Sequence, residues 1–305
     1  MAEHDTECFS CPRGCGAKRA GGESGWCAVT GYAPVIAAVC RHLGEEPVLG
    51  GNAGVANVFF AHCNLACVYC QNSDISDNAR ALPPAVSVRE AVQNIERVLE
   101  EGARAVGFVS PSHQTEALAA IIREMRARGI HAPVIYNTSA YDRADTLKSL
   151  EGLIDIWLPD YKYADAALAE RLSGRADYPE YARRALYEMY RQAGSSLECD
   201  DDGFALRGLI IRHLILPGEL RNSKNCLRSI AEDLSTRVTI SLMAQYHPQG
   251  APALPALGRT LRPDEYEEIV SYFFELGFQN GFVQELASHD AFLPDFSLGE
   301  KAFEQ

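Results

Sequence analysis

The feature that most restricts the fold is an alternation of two hydrophobic periods along most of the chain. Residues 54–60, 105–109, 134–136, 153–158, 209–216 and 238–243 are short apolar runs of strand character. Between them, residues 86–101, 117–125, 181–192, 227–234 and 266–276 carry apolar side chains at steps of three and four, as in Val88, Val92, Ile95 and Leu99. Strands separated each time by a helix run parallel, because a parallel neighbour needs a long crossover. The expected fold is therefore α/β, a partial or complete parallel (β/α) barrel with a Cys-rich N-terminal extension. The expected boundaries are 1–50 for the extension, 51–250 for the barrel core, and 251–305 for a C-terminal helical and strand completion. In such barrels, function collects at the C-terminal ends of the strands.

Charge and cysteine usage narrow the function. The 305 residues include 41 Asp and Glu against 28 Lys and Arg, a formal charge of −13. A chain that neutralises phosphate backbones needs the opposite balance, so nucleic acid is a poor primary partner. No apolar run approaches the roughly 18 residues of a membrane span, and the opening MAEHDTECFS has no apolar signal core. A cytoplasmic location is expected. Ten cysteines in a reducing compartment point to metal rather than disulfides. Seven fall in two groups: Cys8, Cys11, Cys15 and Cys27, then Cys63, Cys67 and Cys70. Cys40, Cys199 and Cys226 stand alone and read as small buried hydrophobes.

The second group is a C-x3-C-x2-C triplet directly after the 54–60 run. Three thiolates on one tight loop can hold three irons of a 4Fe-4S cluster and leave the fourth without a protein ligand. An open coordination position suits reaction chemistry. The alternative on spacing alone is zinc, borrowing a fourth ligand such as His62 or a distant Cys.

The string Phe59-Phe60-Ala61-His62-Cys63-Asn64-Leu65-Ala66-Cys67-Val68-Tyr69-Cys70-Gln71-Asn72 resembles the signature of the radical S-adenosylmethionine (SAM) superfamily. Within it, the chain is similar to the pyruvate formate-lyase activating enzyme-like branch of iron–sulfur proteins, from Cys8 to about Gly281. The resemblance implies that Cys63, Cys67 and Cys70 ligate the cluster, that SAM chelates the open iron, and that Tyr69 lies by the adenine. It also implies reductive cleavage of SAM, driven by a one-electron donor such as flavodoxin or ferredoxin, to a 5′-deoxyadenosyl radical that abstracts hydrogen. Asp160-Tyr161-Lys162 resembles an activase Asp-Leu-Lys element, in which the Lys helps hold the SAM carboxylate and the Asp lies toward a substrate glycine. Arg212 through Pro217-Gly218, and Tyr246-His247, resemble two further activase elements, the His contacting SAM. Asn137 stands where an acid is usual. Ser110-Pro111-Ser112 replaces the usual glycine-rich motif, which leaves Ser110, its carbonyl and Ser112 as candidates near the SAM ammonium.

By residue type, Ser110, Ser112, Asn137, Asp160, Lys162, Arg212 and His247 suit a zwitterionic nucleoside, although any rim is polar. Asp160 and Lys162, two apart on a strand, face the same side, and the alternative reading is a plain surface ion pair. Arg212 on an apolar strand demands an anionic partner, either a barrel carboxylate or that of SAM. His213 falls on the opposite face, a structural position, and His247 before Pro248 reads equally as loop punctuation. Cys8-x2-Cys11-x3-Cys15-x11-Cys27, interleaved with glycines, reads as a closed second metal site, zinc or an auxiliary 4Fe-4S cluster. The expected activity is a radical SAM enzyme resembling a glycyl radical enzyme activase, with a polypeptide substrate. A radical SAM enzyme acting on another peptide or small molecule, and a non-enzymatic electron-transfer protein, are the alternatives.

Overall fold

Each interior strand has apolar side chains on both faces, so it can be covered by helices outside and by its own barrel inside. The computed structural model describes residues 7–43, 46–249, 254–287, 294 and 296; the end of the expected 251–305 segment lies outside them. The strands, in chain order, are β1 (Ile36–His42), β2 (Val55–Phe60), β3 (Ala105–Val109), β4 (Val134–Thr138), β5 (Ile156–Pro159), β6 (Glu198–Cys199), β7 (Ala205–Leu214), β8 (Thr239–Met243) and β9 (Gly281–Val283). The helices are α1 (Ser73–Ser76), α2 (Val88–Glu100), α3 (Thr115–Ala127), α4 (Ala144–Ser149), α5 (Ala166–Ser173), α6 (Tyr178–Ala193), α7 (Leu220–Asp233) and α8 (Pro263–Glu275).

The sheet order is β1-β2-β3-β4-β5-β7-β8-β9, with β6 pairing antiparallel beside β7. From β2 to β9 every pairing along that path is parallel. β1 runs antiparallel to β2. Among the described residues β1 and β9 do not pair, so the barrel is partial. The expected α/β class and mostly parallel sheet are present.

Six elements were not legible in the sequence: β1, β6, β9, α1, α4 and α5. β1 contains Arg41 and His42 and lacks a clean period. α5 is only two turns long, and β9 has three residues. No helix of the described residues is long and apolar enough to cross a membrane.

Strand periodicity sorts the side chains into layers. Val58 and Phe60 of β2, Val106 and Phe108 of β3, and Ile211 of β7 face the helices and share the main core with Val92 and Ile95 of α2. The opposite face begins with an apolar floor of Val55, Ala105, Ile135, Ile156 and Ile210. Two residues further along β2, β4, β7 and β8, at the same parity, stand Asn57, Asn137, Arg212 and Ser241. A polar layer thus follows an apolar one along the barrel axis. Gly107 is required beside it, because a Cβ there would strike Asn57 Oδ1.

The start of α8 is tied to the rest by one carboxylate. Glu265 accepts from Arg259 Nη1 and Nη2 at 2.7 and 2.8 Å, from the Gly218 amide at 3.0 Å, and from the Arg262 amide at 3.0 Å. The Arg259 contact leads these in holding the carboxyl down to about 2, against the opposing effect of burial. A depressed folded value means that the stabilisation is complete above the ordinary glutamate range and is lost as pH falls toward 2. Glu265→Gln is expected to remove on the order of 3 kcal/mol at pH 7, and the deficit should shrink on acidification. Urea titrations of both proteins from pH 7 to pH 3 check this.

Candidate metal and cofactor site

The cysteine triplet is positioned by backbone geometry just beyond β2. His62 adopts a left-handed φ of 66° and turns the chain off the sheet. Asn78 then pins the loop, accepting from the Cys63 amide at 3.0 Å and donating to its carbonyl at 2.9 Å. The Cys70 amide donates to the Cys67 carbonyl, and Val68 bonds the carbonyl of Leu172 in α5. Cys63, Cys67 and Cys70 together line a cavity of about 200 Å³. Burial, with repulsion from its two neighbours, pushes the Cys63 thiol up to about 12, and burial likewise raises Cys67. Metal binding there would release protons, since thiolates are the ligands.

The same cavity is lined by Tyr69, Ser110, Asn137, Asp160, Lys162, Arg212 and His247. Residues from Tyr69 to His247 thus meet the triplet at the strand ends. Lys162 Nζ lies 2.7 Å from Asp160 Oδ2, with side chains 16% and 22% exposed, so the pair sits in the cavity wall rather than on an open surface. Burial works against the Lys162 charge, but Asp160, Tyr69 and Cys67 outweigh it and hold the ammonium well above its usual range. Tyr69 is buried, accepts from Tyr163 Oη at 2.7 Å, and lies 6.1 Å from the Tyr246 ring, centroid to centroid. Ser110 follows β3 with a φ of 55°. His247 Nδ1 is buried without a hydrogen-bond partner among the described residues.

Two candidates are placed differently from the rest. Ser112 does not line the cavity. Its hydroxyl meets Thr138 Oγ1 at 3.1 Å, and Thr138 in turn donates to the buried Asp142 carboxylate at 2.6 Å. Arg212 lines the cavity, and it also has a protein counter-ion: Nε and Nη2 each lie 2.7 Å from a carboxylate oxygen of Glu46. Burial drives both members of this pair toward their neutral forms, Glu46 up and Arg212 down, and a hydrogen bond from Ser241 works the other way on Glu46. His213 faces away, its Nδ1 2.7 Å from the Tyr161 carbonyl oxygen.

A second cavity of about 570 Å³ adjoins the first and shares Gln71, Asn72, Val109, Asn137, Arg212, Met243 and Gln245 with it. His42, Glu46, Asn57, Ser241 and Gln284 add to its polar wall. Burial lowers His42 to about 4, which leaves it neutral at pH 7.

The N-terminal cysteines form a module against the triplet loop. Cys8, Cys11 and Cys27 are buried and Cys15 is exposed. The Cys8 amide bonds the Ala17 carbonyl and the Gly16 amide bonds the Cys8 carbonyl, which closes the turn. A Cβ on Gly25 would strike Cys15 Sγ, so that approach needs glycine. Arg13 Nε donates to the Asn64 carbonyl at 2.8 Å, and His62 Nδ1 lies 2.8 Å from the Cys27 carbonyl oxygen. Among the described residues, no three His, Cys, Asp or Glu side chains gather as they would around a single ion.

Sequence reasoning missed Glu46, Asn57, the cavity position of Gln71 and the bridging role of His62, whereas Gln245, a strand-end residue beside Tyr246 and His247, does line the cavity. Asn57 carried a signal, an amide inside an apolar strand. Glu46 carried none, because its partner is 166 positions away.

No family model matches the chain. An uncharacterized protein of Methanocaldococcus jannaschii is 28% identical over 236 residues, which is 74% of this chain and 63% of that relative. The chain thus spans less than two thirds of the relative's length. SuiB of Streptococcus suis, solved with the precursor peptide SuiA, superposes with a TM-score of 0.49 at 12% identity, over 73% of this chain and 46% of SuiB. The FeFe-hydrogenase maturase HydG of Carboxydothermus hydrogenoformans gives a TM-score of 0.46 at 14% identity, over 78% of this chain and 61% of HydG. At such scores and identities the functional reading rests on the chain's own residues.

Proposed function

We propose that the chain is a radical SAM enzyme of the cytoplasm, with a 4Fe-4S cluster on Cys63, Cys67 and Cys70 and SAM in the cavity beside them. The observation that carries this is the meeting of three thiols of one loop with a buried cation, an amide and an unpartnered imidazole nitrogen around one cavity of about 200 Å³. The donor set fits the group: three thiols for three irons, Lys162 for a carboxylate, and His247 Nδ1 for a polar group it currently lacks. When bound, the cluster and SAM together supply a 5′-deoxyadenosyl radical by one-electron reduction, able to take hydrogen from an unactivated C–H bond.

The chain's part is to bind, orient and exclude water. Tyr69 offers a buried ring edge and backbone for the adenine. Lys162, steered by Asp160, holds the SAM carboxylate, and Ser110 and Asn137 serve the ammonium and ribose. Arg212 is fixed by Glu46 at the boundary between the two cavities. The one-electron donor is a flavodoxin or ferredoxin.

The substrate reading favoured is a glycine of a partner polypeptide, as in a glycyl radical enzyme activase. Its support is Asp160 and Lys162 of the Asp160-Tyr161-Lys162 element in the cavity wall, with Arg212 and His247 on the same cavity. A second reading, a different peptide or a small polar molecule, is favoured by the polar second cavity of about 570 Å³. Cys8, Cys11, Cys15 and Cys27 hold a second metal, zinc or an auxiliary cluster.

Anaerobic incubation with dithionite and SAM is expected to yield 5′-deoxyadenosine, and its absence from iron-loaded protein would overturn the reading. A doublet EPR signal on an added pyruvate formate-lyase-type polypeptide marks the activase. 5′-Deoxyadenosine without that doublet favours the second reading.

A further inference from the structure

The inner face of β1, β2 and β3 carries an apolar shelf beside the polar layer. Ala38 pairs in register with Phe59, and Phe59 with Val109, so the three side chains share one row. Cys40 stands in the adjoining row, opposite Asn57. Ala38, Cys40, Phe59 and Val109 form a buried apolar cluster separate from the main core. Phe59 and Val109 also line the cavity of about 570 Å³. The ring of Phe296 packs on this shelf, its centroid 5.2 Å from that of Phe59 and its plane turned by 72°, an edge contact.

We propose that the shelf is a subsite for the aromatic side chain of a polypeptide substrate, and that Phe296 of the chain itself holds it until that substrate arrives. This rests on the function proposed above and narrows its substrate class to a polypeptide carrying an aromatic residue near the reacting position. The walls of the chamber divide the work. Away from the shelf it is lined by Asn57, Ser241 and the Glu46–Arg212 pair. A ring laid over those groups would bury polar atoms without compensation, so it belongs on the shelf. A peptide brings backbone amides for the polar walls together with its ring, whereas a bare aromatic molecule suits the shelf alone. The resident is itself a phenylalanine in a polypeptide, so the shelf accepts a ring in that setting. Val109 lines both cavities, which puts a residue seated here next to the cavity assigned to SAM.

The hold of Phe296 is weak enough to be exchanged. Its ring is half-buried and realises only part of the burial free energy open to a phenylalanine. The edge contact with Phe59 adds roughly tenfold at most to its occupancy. Phe273 and Phe278 show the other case, stacked 5.1 Å apart and 3% and 2% exposed, as permanent members of the main core. A substrate ring that enters from the chamber and covers Phe59 more completely displaces Phe296.

Cys40, 1% exposed and part of the shelf, is the reporter. In the full chain, Phe296→Ala should raise its alkylation by N-ethylmaleimide about tenfold, read by peptide mass spectrometry, while Phe296→Tyr should match the native chain. Cys226, buried in α7, should keep its native rate in both variants. An unchanged Cys40 rate in Phe296→Ala overturns the inference. So does an equal rise at Cys226, since the ring would then be a core residue and not an exchangeable occupant. Acetyl-Gly-Phe-Gly-amide should slow Cys40 alkylation, and at lower concentration in Phe296→Ala than in the native chain. Equal protection by acetyl-Gly-Ala-Gly-amide overturns the aromatic subsite, and equal protection by benzyl alcohol overturns the assignment to a polypeptide. These rates need neither iron nor SAM. Loss of peptide protection in a chain that still forms 5′-deoxyadenosine overturns the subsite alone, whereas protection without 5′-deoxyadenosine from iron-loaded protein overturns the function proposed above.

Discussion

Cys67→Ala is expected to lower 5′-deoxyadenosine formation by at least about a thousandfold, a loss of roughly 4 kcal/mol of barrier reduction, and to remove the triplet-bound iron. Cys67 is the middle thiol of the triplet, and its sulfur also accepts from Ser173 Oγ at 3.2 Å, which continues through Tyr163 to the Tyr69 hydroxyl. Removing it breaks the Ser173 contact, one of the loop's ties to α5, and leaves two thiols for three irons. The fold should persist, because the loop is held independently by Asn78 and by the Val68–Leu172 bond. Cys226→Ala provides the contrast. Cys226 is fully buried in α7 and lies among the apolar residues of the main core. Its loss should cost about 1 kcal/mol of stability through a small cavity and leave iron content and product unchanged. Iron, sulfide and 5′-deoxyadenosine assays on both variants decide the matter. Equal product from Cys67→Ala and the native chain would remove the triplet from the chemistry.

The parts of the molecule visible in the sequence are those set by short-range spacing. β3 begins and ends where its apolar run does, and α2 differs from its stripe only at the ends. The triplet announces itself because one loop must present all of its thiols. Asp160, Lys162, Arg212 and His247 were found as strand-end polar residues, and the parallel sheet brings those ends together. What stayed hidden depends on long-range topology. The antiparallel edge strand β1 exists because β2 offers it a ladder, not because 36–42 has a strong period of its own. The contact of His62 with Cys27 joins two motifs that each look complete alone. Ser112 illustrates the reverse error of resolution. Its position after β3 suggested the rim, but the short helical turn at 111–113 directs its hydroxyl to Thr138 instead of into the cavity.

Glu46→Leu is expected to destabilise the protein by about 3–5 kcal/mol, because it strips the carboxylate partner from a guanidinium that the barrel has desolvated. Arg212 is 12% exposed and Glu46 is 4% exposed at the side chain, so neither can turn to solvent without rearranging the polar layer. The double variant Glu46→Leu/Arg212→Met should recover most of that loss, since replacing both members of a buried ion pair with apolar groups of similar size is often near neutral. Guanidinium chloride unfolding of the native, single and double forms gives the coupling energy directly. A Glu46→Leu protein as stable as the native chain would contradict the two-point contact. The double variant also separates two jobs of one side chain. Arg212 borders both the cavity assigned to SAM and the adjoining polar chamber. If its only task were to satisfy Glu46, the double variant would regain SAM binding along with stability. Recovered stability with weakened SAM binding instead places the guanidinium in contact with the nucleoside, with Glu46 as the residue that aims it.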